Sequence, residues 1–209
     1  MGFLARIFRR STQPDTSVSS RGPVPEPASD LGAYVPEDGN RDRFIGPDGL
    51  PPLHLISDTM SDDESALWLC EDSTGLLVHP TDPRLAAAGI YVSRLRGEAF
   101  HHVACQSGDF RPGTPVSLIR ELANEFDGTA VAVYDHTRQH LAGYVHKQQA
   151  PSLASLMDAG TPLHAISIRG AGPGSPCDQV TILAAPPPVL RRLLEPRPGH
   201  LPGPPAHRP

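Results

Sequence analysis

The sequence predicts a mainly β protein: a small, partly open barrel of six to seven short strands with one or two short helices. Three observations carry this. Short runs rich in Val, Ile, Tyr and Thr recur from about residue 89 to residue 185, separated by turn residues. The apolar period switches clearly to helical spacing in one place, over "KQQAPSLASLMDAG". The material able to bury a core lies between Leu53 and Leu194, because both flanks are dominated by Pro, Ser, Gly and charge.

Four regions follow: a Pro/Ser-rich stretch over 1–52 expected to be disordered, an acidic lead-in over 53–88, a barrel over 89–194, and a disordered Pro-rich tail over 195–209. In the lead-in, "ALWLCEDSTGLLVH" reads as two short strands about a polar turn, either a hairpin packed on the barrel or an irregular entry. "TDPRLAAAG" predicts one helical turn, capped by Thr81 or Asp82 and stopped by Gly89. "GIYVSRL" is a strand, and "FHHVACQ" is expected as the next. "VSLIREL" follows the turn "RPGTP", and "TAVAVYD" alternates small and β-branched residues as a tightly packed strand does. "HTRQH" makes a hairpin loop and "LAGYVH" returns. Ala150, Leu153, Ala154 and Met157 then share a helix face, with Pro151 in its first turn and Gly160 where a helix-ending glycine belongs. "LHAISIRG" and "DQVTILAA" complete the strands, and "PVLRRLLEP" closes as a short helix.

Charge limits the function. The formal net charge of −5 argues against coating long nucleic acid by counterion release, while leaving room for capture of one or two nucleotides. Three cysteines (Cys70, Cys105, Cys177) without paired spacing predict no disulfide framework. No apolar run reaches the roughly 20 residues of a membrane span, so a cytoplasmic protein is expected. Residues 1–10, "MGFLARIFRR", would place Phe3, Leu4, Ile7 and Phe8 on one face among arginines, a pattern suited to weak membrane contact. No Gly-x-Ser-x-Gly elbow, phosphate-binding loop or dinucleotide fingerprint occurs, so no catalytic set is visible and a non-enzyme is expected. No cofactor is expected; a zinc ion is the alternative, with His101, Cys105, His136 and His140 as its candidate ligands, although no CxxC anchors them.

One polar knot stands out: Asn124-Glu125-Phe126-Asp127-Gly128 between two apolar runs. Asn-x-x-Asp-Gly is ordinary turn chemistry, in which case Phe126 closes the barrel. The ordered series points elsewhere. An aromatic-containing strand, a "PG" turn, "VSLIREL" leading into "NEFD", then "AVAV", "GYV" and a helix ending "LMDAG" together resemble the HIRAN domain, found in certain fork-remodelling SWI/SNF helicases and in stand-alone bacterial proteins. The resemblance spans roughly Gly89 to Ala184. It implies an OB-like barrel that binds DNA, with single-stranded DNA and its 3′ ends as ligand and a repair or replication protein as further partner.

That family's loop pattern, Glu-Pro-x-Asn-Pro-aromatic-Asp, is met here by Glu121, Asn124, Phe126 and Asp127, while Leu122 and Glu125 replace its prolines. Its earlier aromatic pair falls on Phe100 and His101, and a later polar or aromatic position on Tyr144. Ala99 stands where helicase members carry a basic residue. The expected DNA-binding set is therefore Phe100, His101, Asn124, Phe126, Asp127, Tyr144 and Lys147. Its rings would stack on a terminal base and its carboxylate would accept from a 3′ hydroxyl. Arg94, Arg96, Arg120 and Arg138 join Lys147 as a possible phosphate-facing patch. The alternative is a non-catalytic protein-interaction barrel that has lost DNA binding, favoured by Ala99, the missing prolines and the acidic lead-in.

Overall fold

The computed structural model describes residues 34–36, 44–58, 66–177 and 179–202. Residues 1–10, the acidic stretch 59–65 and the tail beyond 202 lie outside them. The strands are β1 (Leu53–Asp58), β2 (Ala66–Glu71), β3 (Tyr91–Arg94), β4 (Pro115–Arg120), β5 (Val131–Asp135), β6 (Leu141–Tyr144), β7 (His164–Arg169) and β8 (Thr181–Ala185). The helices are α1 (Pro83–Ala87), α2 (His102–Ser107), α3 (Ala150–Asp158) and α4 (Pro187–Leu194). The expected mainly β fold is found, with β3-β8-β7-β4-β5-β6 forming one antiparallel six-stranded sheet.

The sheet curls until its two ends meet at one point. Arg96, just past β3, exchanges backbone hydrogen bonds of 2.8 Å in both directions with Tyr144 at the end of β6. Gly143 permits this contact: its φ is +154°, and a Cβ there would lie 2.6 Å from the Arg96 carbonyl oxygen. Only a residue without a side chain accepts both conditions. A register shift between Val133 and Tyr134 adds to the bend.

Two cores follow from strands buried on both faces. In β8, Ile182 and Ala184 enter the barrel interior with Val131, Val133, Phe110 and Leu153, while Leu183 and Ala185 face a second core. That second core is filled by Leu53, Leu69, Leu85, Leu190 and Leu193, from β1, β2, α1 and α4. The continuous apolar run "VTILAA" is the sequence trace of this double burial. Asp82 caps α1 and holds Arg84 bidentately, and the Arg84 guanidinium lies 4.7 Å from the centroid of buried Phe44. Val35 donates to the Leu77 carbonyl at 2.9 Å, so two pieces of the 1–52 region pack against the lead-in. At the other end, Arg197 donates to the Asp72 carbonyl at 3.2 Å.

Three expectations need correction. "FHHVACQ" is not a strand. Gly97, at φ +84°, turns the chain into a 3-10 turn over Glu98–Phe100, and α2 follows with Cys105 as its buried side chain. The strand "ALWLC" takes β1 as its partner in a six-pair register, while "LLVH" returns only through the single Cys70–Leu77 bridge. Finally, Cys105 and Cys177 are disulfide-bonded across 72 residues, leaving Cys70 free and buried. Spacing along the chain does not report a contact made when α2 and the 171–177 loop meet in space.

Candidate nucleic-acid interface

The rim of the barrel beside the Arg96–Tyr144 closure gathers most of the expected residues. The 121–130 loop is built from its own side chains. Asn124 Oδ1 accepts from the backbone amides of Phe126 (3.0 Å) and Asp127 (3.1 Å), and Asp127 Oδ1 accepts from the Thr129 amide and hydroxyl, each at 2.7 Å. These are the local caps that Asn and Asp make in turns. Arg120 finishes the loop from β4, donating to the carbonyls of Ala130 (2.8 Å) and Gly128 (3.0 Å) and to Asp158. Its guanidinium is committed to structure, which removes Arg120 from the phosphate-facing patch.

This scaffolding leaves Phe126 with nothing to close. Its ring is 96% exposed, and Phe100 on the neighbouring 3-10 turn is 89% exposed, so neither aromatic supports the core. The two rings are held out while Val131 and Val133, on β5, are fully buried.

A chain of polar contacts ties the two ring-bearing segments together. The His101 and Tyr144 rings lie 5.9 Å apart; the Tyr144 hydroxyl donates to Glu121 at 3.2 Å; and the Asn124 amide donates to Glu121 Oε2 at 2.9 Å. Glu121 is thus the node between the barrel wall and the loop. The sequence had matched it to the loop pattern without assigning it work; its three-residue spacing from Asn124, with the Asn124 amide nitrogen bonded to the Glu121 carbonyl at 3.0 Å, was the available signal. The expected role of Asn124 is narrowed, since its carbonyl oxygen and one amide hydrogen are used within the loop.

Electrostatics in the rim favour acceptors. The hydrogen bond from the Thr129 side chain, then that from its amide, holds the Asp127 carboxyl below its ordinary value, with Arg120 adding a smaller effect. Burial, followed by the Glu121 charge, pushes the Tyr144 hydroxyl up, so it stays a neutral donor. Oδ2 of Asp127 has no protein partner among the described residues.

The remaining candidates lie elsewhere. Lys147 is exposed on the segment that seats on β3 through the His146 amide and Ser93 Oγ (3.0 Å), and no contact brings it into the Glu121 cluster. His136 and His140 occupy the β5–β6 turn, at the far end of that hairpin from Tyr144, where His140 Nδ1 meets Asp135 Oδ2 at 3.0 Å. Cys105 is spent in the disulfide and His101 faces Tyr144. The four candidate zinc ligands are therefore dispersed, and among the described residues no three His, Cys, Asp or Glu side chains are grouped to hold a metal. No helix among the described residues is long and apolar enough to cross a membrane.

A curled antiparallel half-barrel with rings and acceptors on its rim defines a small OB-like recognition module. Residues 97–172 match the HIRAN domain family, a family known for DNA-binding modules. Every residue of the rim cluster falls inside that stretch. Among solved structures, the chain is similar to the HIRAN domain of human HLTF in a crystal structure (16% identity, 50% of this chain and 83% of that one, TM-score 0.37). It is also similar to a Lactobacillus plantarum protein (23% identity, 45% and 91%, TM-score 0.36). The HLTF HIRAN domain determined by NMR is a further match (16% identity, 49% and 81%, TM-score 0.33). No curated protein sequence matches the chain.

Proposed function

We propose that this HIRAN-like domain binds single-stranded DNA at a free 3′-hydroxyl end, in the cup between Phe100 and the 121–128 loop. The observation that carries this reading is the pair of exposed rings, Phe100 and Phe126, held on two segments joined through His101, Tyr144, Glu121 and Asn124. An exposed ring gives a terminal base a flat apolar partner worth about 1–3 kcal/mol, with little preference among bases. Asp127 Oδ2 accepts the hydrogen of a terminal hydroxyl. A 3′ phosphate would instead bring like charge against Asp127 and Glu121. Nothing in this role requires chemistry by the domain itself; it delivers a partner in repair or replication to an end.

Fluorescence anisotropy with matched 3′-hydroxyl, 3′-phosphate and circular oligonucleotides tests it. The 3′-hydroxyl strand is expected to bind tightest, and equal affinity for all three would refute end recognition. Exposed Leu122 and Val103 extend the apolar rim beyond one base. They favour a second reading, a protein-binding surface, for which a pull-down would recover a partner whether or not nuclease is added.

A further inference from the structure

Resting on the DNA-end reading above, we propose that Arg96 and Arg94 contact the backbone phosphates of the strand whose terminal base occupies the cup. Capture of a terminus by rings and carboxylates needs a counterweight, because the nucleic acid is an anion and the rim chain from Asp127 to Tyr144 contains two carboxylates and no free cation. Ala99, immediately before the ring of Phe100, has no charge to offer.

The fold supplies the cation from the strand that closes the barrel. Arg96 pairs directly with Tyr144, and directly paired residues of antiparallel strands place their side chains on the same face of the sheet. The Arg96 side chain therefore leaves the sheet beside that of the tyrosine that anchors Glu121. Arg94 lies two residues back along β3, on the same face and about 6.6 Å away along the strand. The alternation confirms the placement: Arg94 and Arg96 are exposed, whereas Ser93 and Leu95 are buried. Among the described residues neither guanidinium has a hydrogen-bond or ion-pair partner, in contrast to Arg120 and Arg84. Two unspent guanidiniums thus form a line leading away from the cup, along the edge of β3. Both lie on or immediately after the strand that closes the barrel, just before the segment matched to the HIRAN family, 97–172. Guanidinium forks suit phosphate, which they grip bidentately.

The test is the salt dependence of binding to a 3′-hydroxyl single strand, for the full chain and for Arg96→Gln, Arg94→Gln, their double variant, Arg96→Lys and Arg138→Gln. Each phosphate contact on a single strand contributes about 0.7 to the slope of log affinity against log salt. Each single Gln variant is expected to lower that slope by about 0.7, and the double variant by about 1.4. Arg96→Lys is expected to keep the slope. Arg138→Gln is expected to leave it unchanged, because the structure takes Arg138 out of the patch the sequence had assigned it to. It sits in the β5–β6 turn, at the opposite end of that hairpin from Tyr144, where it reaches Ser117 Oγ. Binding by the unaltered chain with the same slope in the Arg94 and Arg96 variants would overturn this assignment while leaving the end-binding reading intact. Failure of the unaltered chain to bind the strand at all would overturn both.

Discussion

Strand β8 and the 121–128 loop use apolar residues in opposite ways. In β8, Ile182, Leu183, Ala184 and Ala185 are all fully buried, two on each side of the sheet. In the loop, Leu122 and Phe126 are 74% and 96% exposed, although the barrel interior lies one strand away. Burial of apolar surface is the main source of folding stability, and these two residues contribute little to it. The loop is shaped by hydrogen bonds to Asn124 and Asp127 and from Arg120, and the Phe126 ring is what that frame presents. Under the proposed function, stability and recognition fall to different atoms, and substitutions can separate them.

The largest expected effect is in β8. Leu183→Ala removes a fully buried side chain from the core shared with α4 and the β1–β2 hairpin, and is expected to cost about 2–5 kcal/mol in a denaturant titration. A loss below about 1 kcal/mol would mean that the second core is not a cooperative part of the fold. Next in size, reduction of the Cys105–Cys177 bond, which closes a loop across 72 residues, is expected to cost about 4 kcal/mol by the chain-entropy estimate. Thermal melts with and without reductant, with Cys177→Ser as the reference, would read it; identical melts would show that the bond constrains little.

The rim predicts the reverse pattern. Phe126→Ala is expected to weaken binding to a 3′-hydroxyl strand by about tenfold to a hundredfold, following the stacking energy of about 1–3 kcal/mol per base. Its melting temperature should be nearly unchanged, because the ring touches so little of the fold. A variant that loses stability and keeps binding would break the contrast between the two regions. Tyr144→Phe, which deletes the hydroxyl bonded to Glu121, is expected to cost about 1 kcal/mol and a smaller share of affinity. A loss as large as that of Phe126→Ala would make Tyr144 a direct contact rather than a positioning residue.

The sequence made the strands legible wherever period and turn chemistry agreed. "TAVAVYD" and "LAGYVH" became β5 and β6, Asp82 capped α1, and the helical spacing of Ala150, Leu153, Ala154 and Met157 became α3. It failed at "FHHVACQ", where β-favouring residues precede Cys105: a local pattern cannot show that Gly97 takes a positive φ and redirects the chain. β1 was missed because its partner β2 is reached across the acidic stretch, and the alternation in "LHLIS" lasts only three residues before Ile56 breaks it. Of the candidate site, the sequence offered residue types but not their wiring. Phe100, His101, Asn124, Phe126, Asp127 and Tyr144 do lie along one chain of contacts or beside it, yet only coordinates connect them through Glu121. Lys147 was grouped with Tyr144 by sequence proximity, and the chain turns between them to seat His146 on Ser93.

The smallest expected effect probes the frame of the loop itself. The Thr129 hydroxyl and amide both donate to Asp127 Oδ1 and hold its carboxyl below the ordinary value of 3.8. Thr129→Val deletes the hydroxyl and keeps the amide, so the Asp127 titration midpoint, followed by carboxyl-carbon NMR, is expected to rise toward 3.8. The sign for stability follows from linkage: a carboxyl depressed by folding adds stability above its unfolded pKa and loses it as pH falls through the folded value. Below neutral pH the difference between the unaltered chain and Thr129→Val should therefore shrink only in the acid range, and remain constant from about pH 5 upward. Because Asp127 is solvent-exposed, that stability difference should be small, and the change should appear chiefly in the titration and in 3′-hydroxyl selectivity. An unshifted midpoint in Thr129→Val would show that the hydroxyl does not hold the carboxylate, and selectivity for the hydroxyl end would then need another acceptor.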